Sequence, residues 1–451
     1  MPTSRFEVRI ASSALHLYTR LQMFGHQRPD VITERVPGPA SERWTESLAR
    51  TECPSLTMRR ARREERAGAP NDPIVWAEAL GANVRDADGN VFVDLIGAFS
   101  VCAVGHSHPK VVEAVQRQAA RLPHALGDVH PSVAKLELLE ALASWVPFES
   151  RIILGLNGAD AVAAALKTAA LATGRSGVLA FEGGYHGLMY GALSVCGSHP
   201  AFRAPFQRQL NPDVRFAPYG QAELLDGVFD ETIGAVIVEP ALGRGGLVFP
   251  PDDFLVAVAA RARAAGALVI VDEIFTGFGR TGKRFAYEGL IEPDVLCVGK
   301  ALGGGLPISA CIGTAEVMRA WGNPDREAIH TATFAGSPIS CAAASASLGV
   351  IEEEGLVERS RVVGERWVGR LREVLGDSVV EVRGRGLMVA VELDDGPRCG
   401  RVMHALLQRG WLVLGAGPGG RTLQLTPPLM IDEGLLDMFA RVLLDVLAGT
   451  A

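Results

Sequence analysis

Residues Leu268 to Phe285 read "LVIVDEIFTGFGRTGKRF". The stretch opens as a continuous apolar run of the kind found in strands covered on both faces. It then breaks at the acidic pair Asp272-Glu273 and runs into glycine. "GFGRTG" (Gly277 to Gly282) fits the G-x-G-x-x-G dinucleotide pattern, and "GFGRTGK" fits all but the last letter of the P-loop pattern. Neither match survives its context. A dinucleotide fingerprint opens a helix, whereas "KRFAYEGLIEPD" has no clear apolar helical face and soon meets a proline. A P-loop needs Ser or Thr after its lysine to hold magnesium, and Arg284 stands there. The glycines read as tight-turn residues, and the carboxylate ending the strand is the informative feature.

The same arrangement recurs through the central region. "RIILGL" leads to Asn157-Gly158, "GAVIV" ends at Glu239, "ALVIV" ends at Asp272 and "VLCVG" ends at Lys300. Helical segments alternate with these strands: "ADAVAAALKTAALA" follows the first, and "DDFLVAVAARARAAG" has an acidic start and a Gly stop. The pattern predicts an α/β fold with a mainly parallel sheet between helices. In such sheets ligands bind outside the carboxyl ends of the strands. Two carboxylates, a lysine and a glycine-started helix are therefore expected at one edge.

A chain of 451 residues is too long for one simple core. Residues 1–70 are Arg- and Pro-rich with little apolar periodicity. They read as an N-terminal extension, partly disordered or helical, in which "RRARREER" (Arg59 to Arg66) is an exposed mixed-charge helix or a basic binding helix. Residues 71–105, with strands around the Asp-Gly turn of "VRDADGNVFVDL", are expected to join the carboxyl-terminal part in a smaller α+β domain. Residues 106–345 form the large domain. Residues 346–451 carry charged helices, the strands "VVEVRGRGLMVAVEL", "WLVLGA" and "TLQLTPPL", and a last helix.

The net charge of −7 argues against nucleic acid as a partner. No apolar run reaches the length of a membrane span. The N-terminus lacks a continuous apolar core and a clean cleavage site, which argues against a secretory signal, and Glu7 counts against a transit peptide. The seven cysteines are scattered, with no C-x-x-C, as in a cytoplasmic protein with reduced thiols. His106 and His108 form a His-x-His, for which no metal is expected.

A lysine beside apolar surroundings has a lowered pKa, so its amine is nucleophilic. Lys300 follows a buried strand and precedes three glycines. An Asp at a buried strand end suits a cationic ring nitrogen, and pyridoxal phosphate uses such a Lys and Asp. Its phosphate needs N–H groups at a helix start, which "NGADAVAAALK" supplies through Gly158 and Ala159.

Over roughly residues 75–450 the chain resembles the class III aminotransferases, pyridoxal-phosphate enzymes of fold type I that include ornithine, 4-aminobutyrate and ω-amine transaminases. The motif "VIVDEIFTGFGRTG…EPDVLCVGKALGGGLP" is highly specific to that group. "GHSHPKVVEAVQRQ", "FEGGYHG", "IVEPALGRGG", "HTATFAGSP" and "VRGRGLMVAVEL" follow the family's order. The resemblance implies that Lys300 is the Schiff-base lysine and proton shuttle and that Asp272 binds the pyridine nitrogen. It implies that Tyr185, beside His186 in the same cofactor-binding motif, stacks on one ring face and Ile274 packs on the other. Gly158 and Ala159 match the phosphate turn. Thr333 matches a threonine that reaches the cofactor of a neighbouring subunit, which implies a homodimer with shared sites. His106 and His108 fall in a loop the family uses structurally.

Departures bear on the substrate. Asn157 and Asp160 stand where Ser and Glu are usual. Phe275 replaces a common Gln that contacts the cofactor's phenolic oxygen. Leu188 follows "YHG", where the acetylornithine and ornithine group has an Arg for the α-carboxylate. Gln424 stands where many members have an Arg that pairs with a Glu or binds a carboxylate. Glu239 is matched to the acid facing that Arg and is expected, with Lys300 and Asp272, among the catalytic residues. Arg203, Arg244 and Arg421 are candidate substitutes, because neither Leu nor Gln replaces a bidentate Arg. Phe99, Leu188, Phe275, Gln424 and Arg421 are the expected substrate-side residues. The reading is an aminotransferase moving an amino group between an amine or amino acid and a keto or aldehyde acceptor. A racemase, epimerase, aminomutase or decarboxylase of the same family, and a non-catalytic homologue, stay open as alternatives.

Overall fold

The computed structural model describes residues 24–68, 70, 73–323 and 327–450. The expectations for residues 1–23 lie outside the described residues.

The apolar runs form a seven-stranded sheet. In spatial order its strands are Ser150–Gly155, Ser309–Thr314, Val295–Val298, Leu268–Asp272, Ile233–Val238, Gly177–Phe181 and Val214–Ala217. Six run parallel and Ser309–Thr314 alone is reversed, pairing antiparallel with both neighbours. The sheet is thus mainly parallel, as the near-continuous apolar runs require. Every residue of Ile233–Val238 is buried, and each large aliphatic side chain there contributes about 1.5–3 kcal/mol. The reversed strand was not visible in the sequence: "SACIGT" is short and its apolar part is only "ACI". Helices Gly158–Thr173 and Phe254–Ala264 cover the sheet.

Two smaller four-stranded sheets complete the fold. One joins Trp76–Leu80, Asn83–Asp86 and Val91–Asp94 to Trp411–Leu412, which pairs parallel with Val91–Asp94. The other is an antiparallel sheet of Glu381–Arg385, Met388–Glu392, Thr422–Leu425 and Leu414–Ala416. The smaller α+β part is therefore built from both ends of the chain. Helix Pro338–Glu353 runs through position 345 and packs on Pro109–Arg121 and Val133–Trp145. Leu356–Leu375 and Glu433–Gly449 pack on each other.

Within the Arg-rich N-terminal stretch, helices Pro39–Thr51 and Pro54–Ala67 form, and the latter packs on Gly396–Gln408. Before them, residues 24–38 form bends and one bridge, from Asp30 to Val91. Asn83 Oδ1 accepts from the Gly25 and Gln27 N–H groups, and Asn90 Oδ1 from those of Ile32 and Thr33. Two buried asparagines thus tie the extension to the first small sheet.

Because six strands are parallel, their carboxyl ends share one edge. That edge carries Asn157, Tyr185, Glu239, Asp272 and Lys300. The reversed strand brings its start, Ser309, to the same edge opposite Gly155.

Candidate active site

Lys300 follows Val295–Val298 through Gly299 and starts a short 3₁₀ turn with its backbone in the left-handed region, φ 41°. Such a conformation costs a non-glycine residue about 1–2 kcal/mol and persists where the surroundings impose it. Its Nζ sits 3.8 Å from the centroid of the Phe275 ring. Loss of hydration lowers its pKa to about 8, against the pull of Asp272 and Glu239 and with the help of the Arg244 and Arg280 charges. The amine thus gives up its proton near pH 8, well below an ordinary lysine, which favours a nucleophile or base.

Asp272 and Glu239 end adjacent parallel strands and are both buried. Asp272 Oδ2 bonds His186 Nδ1 at 2.7 Å, and its Oδ1 accepts from the Ile274 N–H at 3.0 Å. Burial disfavours charge on His186, yet the bond to Asp272 and the Asp272 and Glu239 charges outweigh it and raise its pKa. Glu239 accepts from the Tyr185 N–H at 2.7 Å and the Gly243 N–H at 3.0 Å. Burial pushes its pKa up to about 7, partly offset by His186 and reinforced by Asp272. No ion pair with an Arg joins it among the described residues.

The neighbouring Glu273 does different work. Its carboxyl takes the Thr276 hydroxyl and, at 2.9 Å, the Tyr287 N–H, and so braces the glycine-rich turn. That turn leads into no helix, and Phe278 within it packs on Trp145 and Phe285. Full burial pushes Glu273 up to about 8.

Helix Gly158–Thr173 points its N-terminus at this edge. Asn157 Oδ1 caps the Asp160 N–H at 3.2 Å, and Asp160 Oδ2 takes the Leu156 N–H at 2.8 Å. The two departures from the usual Ser and Glu therefore still close a reciprocal cap. Gly158 and Ala159 donate their N–H groups to no acceptor among the described residues. Gly158 is glycine for space: a Cβ there would stand 2.9 Å from Ile274 Cδ1. Ser309 Oγ donates to the Asn157 carbonyl at 2.6 Å and fixes the turn from the sheet side. Sequence reasoning missed Ser309; a polar residue directly before an apolar "ACI" was the available signal.

Phe275, Met388, Ala390, Ala416 and Leu247 form one apolar cluster. Gln424 is buried and lies directly opposite Ala390 and Leu414 in the small sheet, so it faces the same side as they do. Leu188 is 47% exposed. Phe99 is 64% exposed and lies in three successive left-handed residues, Ala98, Phe99 and Ser100, with φ of 48°, 63° and 67°. Asp94 Oδ1 holds the Ile96 N–H and its Oδ2 the Ala98 N–H, and Oδ2 also bonds His106, so this turn is imposed from within. Packing contacts join the turn to the short 3₁₀ turn at Lys300. His106 is thus taken by Asp94, while His108 lies 3.4 Å from Glu354.

Thr333 stands apart from these residues. It is exposed and lines a cavity of about 500 Å³ with His124, Leu126, Val129 and Lys135. Arg421 pairs with Glu392 at 2.7 Å, and Arg203 lies 4.0 Å over Phe216.

A lysine amine, a histidine-backed carboxylate and free N–H donors on one edge of a mainly parallel sheet define a pyridoxal-phosphate type of site on a transaminase fold. The chain belongs to the class III aminotransferase family: its "Aminotransferase class-III" match spans residues 66–447. It is 38% identical to the acetylornithine aminotransferase of Methanosarcina acetivorans over 82% of this chain and 91% of that protein. It is 40% identical to that of Corynebacterium efficiens over 83% and 93%. Among solved structures, the ornithine aminotransferase from Toxoplasma gondii ME49 matches with a TM-score of 0.79 at 28% identity, over 92% of this chain and 96% of that one. Another structure of the Toxoplasma gondii enzyme, with partial occupancy of PLP at its active site, matches with a TM-score of 0.78 at 29% identity, over 90% and 97%. The enzyme is accordingly a pyridoxal-phosphate-dependent transaminase. No helix among the described residues is long and apolar enough to cross a membrane.

Proposed function

We propose that the edge around Lys300 carries out amino transfer between an amine or amino acid donor and a keto or aldehyde acceptor. The carrying observation is the meeting of Lys300, lowered to a pKa of about 8, with the buried Asp272–His186 pair on the edge where Gly158 and Ala159 offer free N–H groups. These residues fit pyridoxal phosphate. Gly158 and Ala159 N–H would hold its phosphate, Asp272 its ring nitrogen, Tyr185 and Ile274 its faces, and Lys300 its carbonyl carbon. When bound, the cofactor supplies the electron sink that lets the donor's amino-bearing carbon lose a proton.

Each residue then has a task. Lys300 Nζ, in its neutral form, would hold the cofactor and would carry the proton that leaves the donor carbon. Asp272, its Oδ2 fixed by His186, would face the cofactor's ring nitrogen. Glu239 orients Tyr185 through the backbone N–H. Phe275 keeps water from Lys300 Nζ. Phe99, Leu188, Gln424 and Arg421 stand as the substrate-side residues.

We place the enzyme in a homodimer. Leu126, Val129, Val133 and Phe334 are each more than half exposed, and Leu126 and Val129 line the same cavity as Thr333. Such an apolar patch suits a second copy, which would bring Thr333 to the other subunit's cofactor. Seven unbridged cysteines, six of them buried, support a cytoplasmic setting. The large and small domains are proposed as 106–345 and 71–105 with 346–451, preceded by the 1–70 extension.

The test is a half-reaction. Donor amine added without acceptor should convert the yellow enzyme to its amino form, and Lys300→Ala should abolish the conversion. A wild type that racemises or decarboxylates donors without building up the amino form would overturn amino transfer.

A further inference from the structure

We propose that Arg244 is the carboxylate anchor of this site, and that the preferred substrates are amino acids and oxo acids whose carboxylate its guanidinium grips beside Tyr185. This deepens the aminotransferase reading above and rests on it.

Arg244 Cζ lies 4.6 Å from the centroid of the Tyr185 ring. A guanidinium stacked on an aromatic face spends its π face and leaves the N–H edges open, the geometry that receives a carboxylate through two parallel hydrogen bonds. Arg244 is exposed, and no carboxylate pairs with it among the described residues. Its main chain is fixed on both sides. Leu242 and Val248 exchange backbone hydrogen bonds around it, and its own carbonyl accepts at 3.1 Å from the N–H of Gly417, just past strand Leu414–Ala416.

The position is right as well. Tyr185 adjoins His186, which holds Asp272. The Arg244 charge reaches Lys300 and helps lower its pKa. Of the other candidate arginines, Arg421 is paired with Glu392, and Arg203, stacked on Phe216 rather than Tyr185, is not among the charges that act on Lys300. Leu188 offers no charge, and Gln424 offers an amide on the wall that covers Phe275. An anion entering this site therefore meets a free guanidinium at Arg244.

The holoenzyme tests this with matched donors, 4-aminobutyrate and butylamine, which differ by the carboxylate. Wild type is expected to prefer the acid in kcat/KM of the half-reaction. Arg244→Gln should lower that acid-to-amine ratio by about 10- to 100-fold, chiefly through KM. Arg244→Lys, which keeps charge but loses the fork, should restore part of it. The same comparison with 5-aminopentanoate against pentylamine should move in the same direction. An unchanged ratio in Arg244→Gln overturns the proposal, as does an equal loss on acid and amine, which marks Arg244 as packing for Tyr185. A wild type that reacts with no donor at all instead overturns the aminotransferase reading itself.

Discussion

The Nζ of Lys300 lies 3.8 Å from the centroid of the Phe275 ring, with no polar side chain hydrogen-bonded to it among the described residues. The ring takes the place of water, and burial is the main cause of the lowered pKa of about 8. Cofactor capture by the apoenzyme needs the neutral amine, so its rate should rise with pH through a midpoint near 8. Phe275→Ala admits water and should move that midpoint upward toward the ordinary lysine value. Stopped-flow absorbance across pH measures both. An unmoved midpoint would show that Phe275 does not set the amine's hydration.

Gly158 and Ile274 touch closely enough that one added methyl overfills the site. Gly158→Ala places a Cβ 2.9 Å from Ile274 Cδ1, an overpacking that costs about 1–3 kcal/mol. Cofactor dissociation should quicken accordingly, roughly tenfold or more. Ile274→Val removes the closer of the two crowding methyls and leaves Cγ2 at 3.1 Å, so the double variant should bind more tightly than Gly158→Ala alone. Additive losses in this cycle would refute the steric account.

Glu273 is a buried acid with a fold-stabilising role that depends on pH. Its folded pKa of about 8 lies above the unfolded value, so the folded state binds the extra proton between the two. Its contribution is complete below the unfolded pKa and is lost as pH rises through about 8. Glu273→Gln keeps an acceptor for the Tyr287 N–H and a polar partner for the Thr276 hydroxyl, yet never ionises. The variant should match wild type near pH 5 and melt about 2 °C or more above it near pH 9. Equal melting temperatures at the higher pH would mean that Glu273 ionises freely in the fold.

Leu126 is 61% exposed and Phe334 59% exposed. Leu126→Asp should weaken self-association by roughly tenfold or more and lower specific activity at low protein concentration. Sedimentation velocity paired with the half-reaction measures this. Full activity in a monomeric variant would remove the need for a neighbouring Thr333.

The strand-end residues Glu239, Asp272 and Lys300 were legible in the sequence because a buried strand tolerates polar residues only where it ends. The mainly parallel sheet was legible for the same reason, since strands covered on both faces are apolar at every position. Ser309–Thr314 was not, because strand direction leaves no mark in six small residues. The left-handed turn at Ala98–Ser100 was equally hidden: Asp94 imposes it through contacts across the loop. The stacking of Arg244 on Tyr185 and the tie of Gly25 and Gln27 to Asn83 are contacts between distant residues, which local pattern does not encode.

The pairing of Trp411–Leu412 with Val91–Asp94 has a consequence for biosynthesis. A nascent chain completes its seven-stranded sheet once Thr314 has emerged. Asp30 bridges the Val91 end of strand Val91–Asp94 early, but the edge at Val93 stays open until Gly410 and Trp411 arrive. Translation that stalls or terminates between those points would release a chain with a finished reactive edge and an uncovered strand, a ready template for aggregation.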